Sequence, residues 1–170
     1  MKLVWLDLEM TGLDVKKEVI IEVAATITDM DFNAIDSYHA ILKQDQKYLD
    51  NMDEWNTNQH TKTGLVKQVP LGKEPKLAEK ELCDFVKKHL GDDPVVLAGN
   101  SIWQDRRFIE AHMPEFYKLL HYRMLDVTAW KLIFKEKYQK EYEKKESHRA
   151  EDDIQESIDE LKFYLEMIKA

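Results

Sequence analysis

Lys2-Leu-Val-Trp-Leu-Asp-Leu-Glu-Met-Thr-Gly-Leu13 is the stretch on which the fold turns. It is an apolar run rich in Val, Leu and Trp, interrupted by two carboxylates, Asp7 and Glu9, spaced by two. Alternate side chains of a β-strand share a face, so the two acids point the same way while Leu6 and Leu8 pack on the other side. Like charges side by side repel, and a hard divalent ion such as Mg2+ or Mn2+ between them turns that repulsion into coordination. A strand with one solvated polar face fits the same pattern, so the metal reading stands or falls on finding more carboxylates.

Length and composition set the frame. The 170 residues suffice for one domain, read as 1–170, with a sizeable core. With 44% hydrophobic and 34% charged residues, the chain is composed like an ordinary soluble globular protein. No apolar run reaches membrane-span length, and the N-terminus lacks a signal-peptide pattern. Cys83 is the single cysteine and cannot form an internal disulfide, so a reducing, cytoplasmic setting is the default expectation. The formal net charge of -8 argues against a broad basic track for long nucleic acid. It leaves room for a short anionic ligand held by metal ions and a few placed donors.

Outward from the opening stretch, Val19 to Asp29 is β-branched and apolar, and Ala34 to Leu42 alternates Ile35, Ser37, His39 and Ile41 on one face. Together with the first strand these predict a three-stranded antiparallel meander, with His39 a half-buried sheet residue. Met52 to Leu65 reads as a short polar helix with a turn at Gly64, its Trp55 either a packing anchor or a platform for a base. Lys76 to Leu90 places Leu77, Leu82, Phe85, Val86 and Leu90 at helical spacing, a helix that covers the sheet. Pro94 to Ile102 is a short buried strand, and Gln104 to His112 a helix closed before Pro114. Asp105 then lies in a helical first turn beyond a strand's C-terminal end, where ligands of α/β folds gather, although an acid there also complements the helix dipole. His121 to Asp126 is a fifth strand, followed by a helix from Thr128 and a solvated charge run through Glu146. Ser147 is the expected N-cap of a last helix whose stripe is Ile154, Ile158, Leu161, Leu165 and Ile168. Asp153 sits beside that stripe, and His148 is five positions earlier, able to approach the same place from a loop.

Asp7 and Glu9 on one strand, Asp105 at a helix start, and His148 with Asp153 make four acids and an imidazole from three distant segments. The arrangement resembles the DEDDh exonucleases. Asp7-Leu-Glu-Met-Thr-Gly-Leu13, Glu54-Trp-Asn56, Gly99-Asn-Ser-Ile102, Gln104-Asp-Arg106, Tyr122-Arg123, Leu125-Asp126 and Asp152-Asp-Ile154 extend it, in order and spacing, to the oligoribonuclease family across nearly the full chain.

The resemblance implies an RNase H-like exonuclease fold, α/β with a mixed five-stranded sheet flanked by helices. It implies 3'-to-5' hydrolysis of short single-stranded RNA, dinucleotides above all, to 5'-mononucleotides by a homodimer. Two divalent ions, Mg2+ or Mn2+, held by Asp7, Glu9, Asp105 and Asp153 would relieve phosphate charge and stabilise the departing oxygen, with His148 the general base toward water. Leu13 and Trp55 would wedge and stack the bases, and Ser101 and His60 would lie near sugar and phosphates. Tyr122, Arg123 and Thr128 would reach over from the partner subunit to cap a 5'-phosphate, which favours dinucleotides. A DEDDh exonuclease for longer DNA or RNA, and a non-catalytic binder of short RNA, are the rival readings. The chain departs from the family at Glu151, where Leu is usual and where a further negative charge is expected near the metal site. It also has neither Trp nor Pro between Phe134 and Ser147, where the family has a Trp-x-Pro element.

Overall fold

The computed structural model describes residues 1–143 and 149–169. Five strands, β1 (Leu3–Met10), β2 (Ile20–Thr28), β3 (Ala34–Ile41), β4 (Val95–Gly99) and β5 (Leu120–Asp126), form one sheet in the order β3-β2-β1-β4-β5. β1 to β3 are the expected antiparallel meander, and β4 and β5 run parallel to β1 and to each other. The described helices are α1 (Gln46–Asp50), α2 (Glu54–Lys62), α3 (Leu65–Gln68), α4 (Pro75–Leu90), α5 (Ile102–His112), α6 (Pro114–Tyr117), α7 (Val127–Tyr138) and α8 (Ala150–Lys169), with a 3-10 turn at Val69–Leu71. The mixed sheet flanked by helices is thus the one expected.

The two-residue period of β1 divides the protein. Val4, Leu6 and Leu8 pack into a core with Ala78, Leu82 and Val86 of α4 and Phe108 and Ile109 of α5. Leu3 and Trp5 face the opposite way, into a second core with Val127 and Phe134 of α7 and Ile154, Ile158 and Leu161 of α8. Asp7 and Glu9 continue the parity of Leu3 and Trp5, so β1 presents them on the face that α8 covers. Trp5, fully buried, donates its indole N–H to Thr28 Oγ1 at 3.0 Å, which settles the polar atom that so deep a Trp carries.

Several expected details differ. In α4 the buried side is centred on Ala78, Leu82 and Val86; Leu77 is turned about 100° away and is half exposed. Ile35 and Ile168 also lie outside the core, each near the end of its element. The helix closed at Met113 is followed at once by α6, because Pro114 cannot continue one helix but is suited to the first position of another. Ser147, expected to cap the last helix, lies outside the described residues.

Where β4 ends, its last residue comes against β1. A Cβ on Gly99 would stand 2.9 Å from the Leu6 carbonyl oxygen and 3.1 Å from Ile102 Cδ1, so only glycine lets the chain turn there into α5. That turn delivers Asp105 to the open edge of β1.

Candidate metal and nucleic-acid site

Asp7, Glu9 and Asp153 each present a carboxylate oxygen within 4.8 Å of the others, and they are the one such acidic trio among the described residues. β1 contributes the first two through its parity, and the first turn of α8 brings the third down onto them. The Asp153 amide donates to the Arg149 carbonyl at 3.0 Å, the bond with which α8 begins. Glu9 shows what the crowding costs: burial, then the charges of Asp153, Glu22 and Asp105, raise its pKa from 4.5 to about 8, while Arg149 pulls it down. Three convergent carboxylates, one of them resisting ionisation, form a donor set that suits a hard divalent cation. The residues present therefore fit the metal that the acidic pattern implies.

Asp105 stands just outside this trio. β4 stops at Gly99 while β1 runs on, and Asp105 Oδ1 accepts the Leu8 N–H on the open edge at 3.0 Å. Burial raises the pKa of Asp105 to about 7, with a contribution from the charge of Asp126, against the opposing effect of backbone N–H groups including that of Leu8. Its proximity is felt at Glu9. His148 lies outside the described residues.

The other expected residues fall into three groups. His60 is buried in α2, with Nε2 2.9 Å from the Met10 carbonyl and Nδ1 3.9 Å from Glu9 Oε2. A carbonyl only accepts, so Nε2 carries the proton. This contact pins α2 to the end of β1 and brings its Trp55 along, 62% exposed. Leu13, 72% exposed, follows β1 in a loop held by Thr11 Oγ1 donating to Glu18 at 2.6 Å and by Gln104 Nε2 donating to the Leu13 carbonyl at 3.0 Å. Trp55 is therefore no packing anchor.

Ser101 and Thr128 come together within one chain. Ser101 has φ 50°, and its N–H donates to Asp126 Oδ1 at 3.0 Å and to Thr128 Oγ1 at 2.8 Å. Asp126 also accepts the Thr128 N–H at 2.9 Å, capping α7. Tyr122 and Arg123 are both exposed on the edge strand β5, the guanidinium 5.1 Å from the Tyr122 ring centre. Thr128 is thus hydrogen-bonded to Ser101 and Asp126 within the chain, whereas Tyr122 and Arg123 are exposed.

Two polar clusters escape a reading of the sequence. Glu22 is fully buried on β2 as the register partner of Glu9, and it takes Arg149 and His39. Its signal was a lone acid in an otherwise apolar strand. Glu151, expected to add negative charge near the metal site, lies 3.8 Å from His39 Nδ1 with its side chain largely exposed. Behind the site, Asn100 Nδ2 donates to Ser157 Oγ at 2.8 Å and Glu160 Oε2 at 3.0 Å, tying the end of β4 to α8.

Residues 4–161 match the exonuclease family of RNase T type. The chain is 48% identical over 167 residues to the oligoribonuclease of Francisella tularensis (strain WY96-3418), covering 95% of this chain and 93% of that one. It belongs to the oligoribonuclease family of exonucleases. The human mitochondrial oligoribonuclease is 45% identical over 172 residues, covering 96% of this chain and 71% of that protein. Among solved structures, Escherichia coli exonuclease I with a bound oligonucleotide superposes with a TM-score of 0.73 at 14% identity. That match covers 95% of this chain and 40% of the other, and it shows a shared RNase H-like exonuclease fold. As a family member the protein is a nuclease, a phosphodiester hydrolase, and its acidic trio is of a kind that can hold a metal ion.

Proposed function

We propose that this protein is a metal-dependent 3'-to-5' exoribonuclease acting on short oligoribonucleotides, dinucleotides above all, and releasing 5'-mononucleotides. The observation that carries this reading is the convergence of Asp7, Glu9 and Asp153 within 4.8 Å in a chain 48% identical to an oligoribonuclease. Asp105 joins them as a fourth acid of the cation site. Divalent ions, Mg2+ or Mn2+, supply charge relief on the scissile phosphate and on the departing oxygen when bound. His148, five positions before Asp153, takes the proton from the attacking water, being the group whose ordinary pKa lies nearest neutrality.

Leu13 and Trp55 hold the bases, a role supported by their exposure on segments pinned to the end of β1. His60 and Ser101 approach the sugar and phosphates. The protein works as a homodimer in the cytoplasm, with Tyr122 and Arg123 of one subunit closing the site of the other over a 5'-phosphate; their exposure on the edge strand β5 supports this. Thr128, whose hydroxyl lies beside that of Ser101, is the third residue of that cap.

The test is cleavage of a 5'-phosphorylated diribonucleotide beside a longer oligoribonucleotide, with Mg2+ or Mn2+ and with chelator. Metal-dependent turnover favouring the dinucleotide is expected. Asp7→Ala should lower it by at least about a hundredfold, since even groups that merely orient metal ligands can cost that much. Preference for the longer strand would remove the cap, and binding without turnover would leave only a binder of short RNA.

A further inference from the structure

The Glu22–Arg149 pair is built more carefully than a stray ion pair. Glu22 has no exposed surface, and Arg149 engages it through two nitrogens: Nη2 donates to Oε1 at 2.6 Å, and Nε lies 3.1 Å from Oε1 and 3.2 Å from Oε2. His39 Nε2 is 2.7 Å from the same Oε1. The pair bridges 127 residues of sequence, from the strand beside β1 to the entry of α8. Glu22 is the register partner of Glu9, and the Arg149 carbonyl accepts the Asp153 amide at 3.0 Å. One continuous set of contacts therefore runs from Glu9 across the sheet to Glu22, through Arg149, to the backbone of Asp153.

We propose that Arg149 is a positioning residue that, clamped on buried Glu22, fixes Asp153 against Asp7 and Glu9 and so sets the affinity of the site for divalent cations. This deepens, and rests on, the reading of the acidic trio as a cation site. The physical case lies in the opposing effects of charge and geometry. A guanidinium beside carboxylates repels an incoming cation, so by charge alone its removal tightens metal binding. Without its clamp, however, the first turn of α8 is free to lift Asp153 away, and a site that loses one of its carboxylate ligands binds more weakly. Because Glu22 has no water to turn to, the two-nitrogen contact of arginine is not replaced by the single ammonium of lysine.

The experiment is calorimetric titration of Mn2+ into metal-free wild type, Asp7→Ala, Arg149→Met, Arg149→Lys and Glu22→Gln, each at a temperature where circular dichroism shows it folded. Wild type should bind and Asp7→Ala should not; a wild type that fails to bind overturns the cation site and the clamp with it. Given binding by wild type, Arg149→Met should weaken Mn2+ affinity about tenfold or more, with Arg149→Lys between the two. Glu22→Gln should weaken it less than Arg149→Met, since the amide still accepts one hydrogen bond. Unchanged affinity in the folded arginine variants, with only a lower Tm, would show Arg149 to be merely structural; tighter binding would show that charge alone operates. If Arg149→Met does not fold, Arg149→Lys decides by the same criterion. A loss that saturating Mn2+ restores in turnover supports positioning, because the reacting groups are then intact.

Discussion

At Glu9, burial and three neighbouring acids oppose ionisation. The consequence for stability has a definite sign. Between about 4.5 and 8 the folded, metal-free protein keeps a proton on Glu9 that the unfolded chain has already released, so stability falls as pH rises through that window. Asp105, raised from 3.8 to about 7, adds a decline of the same sign at lower pH. Asp36 acts oppositely, held down at about 2 by Lys88 and His89, but its contribution is lost only below the ordinary aspartate range and does not enter the window. The metal-free protein is therefore expected to show a falling Tm from pH 5 to pH 8.5, with Glu9→Gln flattening the slope and Mg2+ raising Tm most at the upper end. A Tm that rises with pH in chelator would contradict the crowding of carboxylates. Each tenfold displacement of an acid constant corresponds to about 1.4 kcal/mol, so the slope is measurable. The alternation that carries Asp7 and Glu9 was legible in sequence because a strand has a fixed period. The Glu22–Arg149 contact was not, because nothing local in either segment specifies a partner 127 residues away.

Elements with a full period were legible and short ones were not. β1, β2, α5 and α7 appear within a few residues of where their patterns place them, whereas α1 and α6, of five and four residues, are too short to display an amphipathic repeat. The junction of β4 with α5 shows how an element depends on one backbone position. Gly99→Ala would drive a methyl to 2.9 Å from the Leu6 carbonyl, against backbone that cannot step aside, and overpacking of this kind costs about 1–3 kcal/mol. Asp126→Ala removes an acceptor shared by the Ser101 and Thr128 amides and should cost about 0.5–2 kcal/mol through loss of the α7 cap. Urea denaturation of both variants checks these values. The glycine variant should also lose more activity than its stability loss explains, since Gly99 sets the entry of the helix that carries Asp105. An unchanged kcat/KM for folded Gly99→Ala would separate that turn from the site.

The whole molecule carries a formal net charge of -8, so its grip on RNA cannot come from long-range attraction and must come from a few placed groups. Arg123 is the candidate for reading the 5'-phosphate across a subunit boundary: it is exposed on an edge strand, and its guanidinium packs on Tyr122, equally exposed. Mixing variants decides the matter. Asp7→Ala abolishes the site of its own subunit but leaves its Arg123 intact; Arg123→Ala leaves its own acids intact but withholds the guanidinium. If Arg123 acts in trans, a hybrid dimer assembled from the two holds one site with wild-type acids and a wild-type arginine. Its activity on a 5'-phosphorylated diribonucleotide should recover toward half that of the wild-type dimer, although each parent is impaired. If Arg123 acts in its own subunit, no mixture exceeds the Arg123→Ala parent. Recovery should also vanish when the 5'-phosphate is omitted, because the group that an arginine at that boundary would recognise is then missing.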